Sequence, residues 1–220
     1  MRLILVRHGQ TQSNVDHIID TEVPGPGLTD LGERQADALT DALRADRIDA
    51  VFASTQLRAQ QTAAALAAAR GHLVKVRDGI REVEAGVFEG RSDRESVRAF
   101  VSTEFAWVRG EVEREMPGGQ TGTETLERFD EVVAEAYEAS YSSVVFVSHG
   151  SIIRVWAGSR ARNIDVAFVR ENPLNNTGVV VLEGSPQAGW TVLTWLDRAI
   201  GGAGLDDEGS AGPEADERQA

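Results

Sequence analysis

None of the 220 residues is cysteine, which removes disulfide staples, thiolate metal sites and thiol nucleophiles from consideration. Lysine is almost as scarce. Lys75 stands alone beside 21 arginines, so any anion site in this chain must be built from arginine forks and histidine. No apolar run approaches the ~20 residues that span a bilayer. The first such run, Leu3 to Val6, is short and leads straight into Arg7 and His8, unlike a signal peptide, so a cytoplasmic location is expected. Positive charge is also short: 22 cationic residues face 35 acidic ones, for a net charge of −13. That balance disfavours nucleic acid and anionic membrane as partners. It is unevenly spread, because residues 201–220 hold six acids against Arg218 alone. There is no Walker-type phosphate loop. The four histidines (His8, His17, His72 and His149) lie far apart, with no two at ligand spacing on one helix, so neither metal nor cofactor is expected.

The length fits one domain with a sizeable core. Arg2 to Val6 reads as a buried strand, and the Gly/Pro-punctuated stretch 9–28 as an ordered loop. Thr29 can cap a helix over about 30–45, with Leu31, Leu39, Ala42 and Leu43 forming its apolar stripe. Ala50 to Ala53 is a second strand, 56–70 an alanine-rich helix and Val74 to Val76 an edge strand. Residues 91–141 read as helical around a break at Pro117-Gly118-Gly119, with Thr121 or Thr123 capping the second part. Val144 to Val147 has the unbroken apolar character of a central strand. Gly178 to Leu182 and Thr191 to Trp195 form a closing strand pair. Residues 200–220, rich in Gly and acid, read as a disordered tail, leaving a domain at 1–199. The expected architecture is a three-layer α/β sandwich, a mostly parallel central sheet with helices on both faces. Ligands of such sheets bind beyond the C-terminal strand ends. Three segments fall there: Arg7-His8-Gly9, Ser54 to Arg58, and His149-Gly150.

Those segments suit phosphoryl chemistry. A neutral, oriented imidazole can attack phosphorus, an arginine fork matches phosphate oxygens, and Gly9 would allow close backbone approach to an anion. Composition alone would produce R-H-G only about 0.04 times in such a chain.

In order along residues 2–182, the motifs resemble the histidine phosphatase superfamily, with its phosphoglycerate-mutase-like fold. Arg7-His8-Gly9-Gln10-Thr11 with Asn14 resembles the nucleophile motif. Leu28-Thr29-Asp30-Leu31-Gly32 is similar to the L-T-x-x-G helix entry, and Ser54 to Thr62 to the segment carrying a second phosphate arginine. Ile80-Arg81-Glu82 with Gly86 and Gly90 resembles the general-acid segment. Pro117 to Thr121 resembles a P-G-G-E-S turn, Val147 to Gly150 the second-histidine segment, and Asn176-Thr177-Gly178 the late strand entry. The resemblance implies His8 as phosphoryl acceptor and Arg7, Arg58 and a cationic His149 as its phosphate-binding partners. Glu82 would be the general acid and base. Gly9, Thr11, Asn14 and Gly150 would be substrate contacts, and a small helical cap would lie at about 91–116. Nearby cations should keep His8 neutral, and a backbone carbonyl should orient its other nitrogen.

Within that family, Gln10-Thr11 resembles the mutase/phosphatase branch rather than the R-H-G-x-R-x-P branch. Phosphoglycerate mutases carry Trp-Asn in the first motif and an Arg-Arg pair in the cap. Here Ser13 precedes Asn14, and 91–116 has no adjacent arginines. Hydrolysis of a small phosphorylated metabolite therefore leads, with a primed mutase second and a non-catalytic phospho-ligand module third. A homodimer is left open beside a monomer. Gln10 and Gln120 replace the usual glutamates, and the loop Asn14 to Leu28 lacks the common Q-G-x-x-D pattern, so substrate identity is the least legible feature. Phe105 and Trp107 could line a pocket or pack a core. His17 and His72 are expected to face solvent, as are the cap arginines Arg91, Arg94, Arg98, Arg109 and Arg114.

Overall fold

A computed structural model describes residues 1–206. Its six strands are β1 (Arg2–Arg7), β2 (Ala50–Ala53), β3 (Val74–Val76), β4 (Ser143–Ser148), β5 (Val179–Ser185) and β6 (Gly189–Leu196). They form one sheet in the order β3-β2-β4-β1-β5-β6. The first four in that order are parallel, and β5 and β6 extend the sheet as an antiparallel pair. The helices are α1 (Gln12–Val15), α2 (Asp30–Ala42), α3 (Leu57–Ala69), α4 (Arg94–Val108), α5 (Gly122–Glu138), α6 (Gly150–Arg160) and α7 (Val166–Glu171).

The two central strands show why the sheet needs cover on both faces. Leu3 to Val6 and Val144 to Val147 are all fully buried, and their side chains alternate between two cores. Leu3, Leu5, Val144 and Phe146 pack with Phe100 of α4, Phe129 of α5 and Trp156 of α6. Ile4, Val6, Val145 and Val147 pack with Leu39 of α2 and Ala59, Ala63 and Leu66 of α3. The result is the expected three-layer sandwich. Thr121, rather than Thr123, caps α5, in a reciprocal pair with Glu124. The sequence reading missed α1 and α7, whose 4 and 6 residues are too short to show helical periodicity.

The tail boundary shifts. Ile200 to Asp206 had been assigned to the tail, but Ala203–Leu205 is a turn of 3₁₀ helix. Ile200 N donates to Thr177 O at 3.3 Å and Ala199 N to Asp206 Oδ1 at 2.8 Å. Residues 207–220 of the expected tail lie outside the described residues.

Strand register places the chemistry. Arg7 lies opposite Ser148, and Ala53 opposite Val147. The chains therefore leave the sheet side by side at His8, Ser54 and His149. His8 N donates to Ser148 O at 3.0 Å, and Ser54 N to Val147 O at 3.1 Å.

The loop leaving β1 is held against the start of α2 by two glycines. A Cβ on Gly9 would come 2.5 Å from Gly32 O, and one on Gly32 would come 2.2 Å from Gln10 O. Both contacts are with backbone, which cannot swing aside. The buried Gln35 amide locks the arrangement, accepting from Gln10 N and donating to Leu205 O, each at 2.8 Å. Gly32→Ala should therefore cost at least about 1–3 kcal/mol in urea unfolding. Gly204→Ala, where an added Cβ meets nothing within 4 Å, should stay within about 0.5 kcal/mol of the parent. Equal stability of the two variants would contradict this packing.

Candidate active site

A pocket that opens to solvent lies over the C-terminal ends of β1, β4 and β2. Arg7, His8, Thr11, Asn14, Arg58, Glu82 and Gly150 line it. Of the nine residues picked from sequence, Gly9 and His149 are the two that do not reach its wall.

The buried His8 ring is fixed by its own neighbour. Its Nδ1 lies 2.7 Å from Gly9 O. A carbonyl can only accept, so Nδ1 carries the proton and Nε2 presents its lone pair. Arg58 Nε donates to that lone pair at 3.2 Å and to His149 Nδ1 at 3.3 Å. With Nδ1 of His149 accepting, its Nε2 carries the hydrogen and donates to Ser54 Oγ at 2.7 Å. Both rings are thus uncharged, their centroids 5.0 Å apart. Burial, then the Arg58 and Arg7 guanidiniums, push His8 well below the usual imidazole range. Burial, then Arg58, His8 and Arg7, do the same to His149. The cationic His149 expected from sequence is corrected on this ground: a fully buried imidazole beside two guanidiniums does not take a second proton.

Two arginines supply the positive charge. Arg7 Nη1 donates to Leu174 O at 2.6 Å, and burial lowers its guanidinium to about 10, still cationic at neutral pH. Gly150 makes room for it, since a Cβ there would lie 3.3 Å from Arg7 Nε. Arg58 occupies the first turn of α3. Its Nη2 donates to Asp20 O at 2.9 Å, and its Nη1 lies 3.7 Å from Asp20 Oδ1. Burial lowers Arg58 as well, partly offset by Asp20 and Glu82.

Glu82 faces the pocket from the start of α6. The N-cap of that helix, His149, makes no side-chain cap bond. The Glu82 carboxylate takes its place, accepting from Ser151 N at 3.2 Å and Ile152 N at 2.8 Å, and from Val83 N at 2.9 Å. Arg128 of α5 clamps the turn beneath, donating to Gly79 O, Arg81 O and Glu82 O at 2.8–2.9 Å. Two nearby carboxylates point elsewhere. Glu84 accepts from Arg81, and Glu89 from Thr21 N and Oγ1.

Asn14 Oδ1 is engaged by Thr11 N, Thr11 Oγ1 and Asn176 Nδ2, which leaves its NH₂ as the end available to a ligand. Thr11 lines the pocket but is occupied as the N-cap of α1. Gly9 is a second correction. Its N–H donates to Thr62 Oγ1 at 2.9 Å, and its small size serves the contact with Gly32, not approach to an anion. Trp107 donates to Arg114 O and is buried under Gly122, and the Phe105 ring lies beneath the Arg154 and Arg170 guanidiniums. Both are packing residues, and α4 contributes Phe100 to the pocket instead. His17 is exposed, whereas His72 is half-buried with Nε2 3.0 Å from Ile48 O. Sequence reasoning missed the roles of Asp20, Ser54, Thr62 and Arg128 in the site. Ser54 and Thr62 lay inside a recognised motif, while Arg128 reaches the site through contacts 46 to 49 residues away.

Among the described residues, no group of three or more His, Asp or Glu could hold a metal ion, and no helix is long and apolar enough to cross a membrane.

A family model described as "Histidine phosphatase superfamily (branch 1)" matches residues 3–198. The PE-PGRS family protein PE_PGRS11 of Mycobacterium tuberculosis is 36% identical over 217 residues, covering 91% of this chain but only 37% of that protein. The adenosylcobalamin/alpha-ribazole phosphatase of Escherichia coli is 31% identical, over 70% of this chain and 75% of its own. The solved structure of mycobacterial glucosyl-3-phosphoglycerate phosphatase with VO3 superposes with a TM-score of 0.74 at 25% identity, covering 89% of this chain and 98% of that one.

Two buried neutral imidazoles make stability depend on pH. In the unfolded chain a histidine takes up a proton below about pH 6.5, which these folded rings refuse. The unfolded state then binds more protons, so stability falls as pH drops through 6.5, by up to about 1.4 kcal/mol per pH unit for each histidine. Thermal unfolding between pH 8 and 5.5 should show this slope, and His8→Ala should flatten it. A slope unchanged by that variant would contradict a neutral His8.

Proposed function

Because the chain belongs to the histidine phosphatase superfamily, branch 1, we propose that it hydrolyses small phosphomonoesters through a phosphohistidine on His8. The observation that carries this reading is the His8 ring itself, with Nδ1 tied to Gly9 O and the Nε2 lone pair turned to a pocket holding two guanidiniums. The phosphatase names of the similar proteins support it.

Arg58 Nε covers the lone pair of His8. An arriving phosphoryl dianion offers Arg58 a stronger acceptor, so the guanidinium turns to the phosphoryl oxygens and uncovers both ring nitrogens. Arg7 and Arg58 then face the equatorial oxygens, where charge is carried in the transition state. The same dianion favours a protonated His149, which in that state donates from Nδ1 to the phosphoryl group. Asn14 adds its NH₂.

His8 Nε2 attacks phosphorus, the N–P bond forms and the ester P–O bond breaks. The leaving oxygen takes the proton of a protonated Glu82. Water next attacks the phosphohistidine and gives its proton to the Glu82 carboxylate. The N–P bond breaks, and phosphate leaves a neutral His8. Metal is not part of this scheme.

His8→Ala should lower kcat on p-nitrophenyl phosphate, assayed in chelator, by at least about 10³-fold. It should also abolish the acid-labile, base-stable phosphoenzyme formed by the parent. Undiminished labelling of the variant would reject His8 as acceptor. Glu82→Gln should separate leaving groups. Nitrophenolate departs without a proton whereas an alkoxide needs one, so the loss should be about 10²-fold or more on an alkyl phosphate and markedly smaller on p-nitrophenyl phosphate. Equal losses on both would reject Glu82 as the acid.

A further inference from the structure

The pocket is electrically lopsided. The cationic side chains on its wall are Arg7 and Arg58, both at the His8 end and both already engaged: Arg7 on Leu174 O, Arg58 on the two histidines and on Asp20. Beyond these the wall includes Ser13, Ile18, Asp20, Thr21, Glu82 and Phe100. Its carboxylates are Glu82, held by the backbone N–H groups of α6, and Asp20, whose side chain is 17% exposed. Asp20 Oδ2 accepts from Ser13 Oγ at 2.5 Å, which holds the carboxylate in place, and Oδ1 sits 3.7 Å from Arg58 Nη1.

These positions restrict what can leave with the ester oxygen. With a phosphoryl group held by Arg7, Arg58 and His8 and its ester oxygen toward Glu82, the wall bearing Ser13, Ile18, Asp20 and Phe100 is left to meet the rest of the alcohol. A carboxylate or second phosphate on that alcohol would find no free cation there and would lie within a few ångströms of the Asp20 carboxylate, in a partly desolvated site where like charges repel strongly. Arg58 Nη1, the nitrogen it might seek, makes no hydrogen bond, but the Asp20 carboxylate already stands 3.7 Å from it. A hydroxyl or ammonium group would instead donate to Asp20, while Ile18 and Phe100 accept its carbon skeleton. We infer that Asp20 is a specificity residue that selects esters of alcohols bearing hydrogen-bond donors, and rejects esters whose alcohol carries a second anion.

This rests on the phosphatase reading of the same pocket, and matched substrates test the two separately. Glycerol 3-phosphate and 3-phosphoglycerate differ in one terminal group, hydroxymethyl against carboxylate. Phosphoethanolamine and phosphoserine likewise differ by a carboxylate. In each pair kcat/KM should favour the member without it by about tenfold or more. Comparison of the two favoured members tells whether hydroxyl or ammonium is the better donor. Asp20→Asn should narrow both ratios several-fold, chiefly by improving the carboxylated member. The ratio is taken within one variant, so a general change in activity cancels. If Asp20→Asn does not fold, Asp20→Ser gives the same comparison, and the parent ratios already stand alone. Preference for the carboxylated members, or ratios unmoved by the substitution, would overturn the inference. Failure to turn over all four esters and p-nitrophenyl phosphate would instead reject the phosphatase reading. Dissociation constants of the same pairs would then report the discrimination directly, with equal affinities overturning it.

Discussion

One guanidinium N–H shared by two imidazoles organises this molecule's functional end. Arg58 Nε reaches both His8 Nε2 and His149 Nδ1. That sharing is compatible only with two uncharged rings, each with its lone pair toward the arginine and its N–H toward an acceptor: Gly9 O for His8, Ser54 Oγ for His149. Burying four basic side chains together would be costly if all were charged. The site resolves this by keeping charge on the arginines and removing it from the imidazoles, which leaves a nucleophilic nitrogen needing no separate base.

The rest of the structure can be traced from that arrangement. The two rings meet because β1 and β4 pair in parallel with Arg7 opposite Ser148, and Ser54 joins them because β2 pairs one residue earlier. The strand register depends in turn on alternating apolar residues that fill two separate cores. Beyond the strands, Gly9 against Gly32 and Gln35 against Gln10 keep the exit of β1 in place, while Arg128 and the first turn of α6 hold Glu82. Each of these supports uses main-chain atoms on at least one side, so the site is braced through the backbone.

Much of this was legible in the sequence. The apolar runs marked the four parallel strands to within one residue, whereas β5 runs three residues past the expected end at Leu182, because its last residues are no longer buried and lose the apolar signal. The ordered motifs identified Arg7, His8, Arg58, Glu82 and Asn14, all of which reach the pocket. What escaped depends on three-dimensional neighbourhood. Charge on His149 cannot be read from a motif, because it is set by burial and by two arginines from other segments. Gly9 suggested an anion contact but answers to a helix 23 residues away. Asp20 lay in a loop without periodicity, and nothing local showed that it would sit against Arg58. The net charge of −13 gives no hint of a cationic pocket, since the arginines that matter are few and buried.

The central claim concerns the protonation of one ring and can be observed without substrate. Nitrogen-15 NMR of the histidine rings, followed from pH 8 to pH 5.5, reports tautomer and charge for each imidazole. The account predicts that His8 carries its hydrogen on Nδ1, shows an unprotonated Nε2, and stays neutral well below pH 6.5. A His8 ring protonated on Nε2 at neutral pH, or titrating near 6.5 like an exposed histidine, would contradict it.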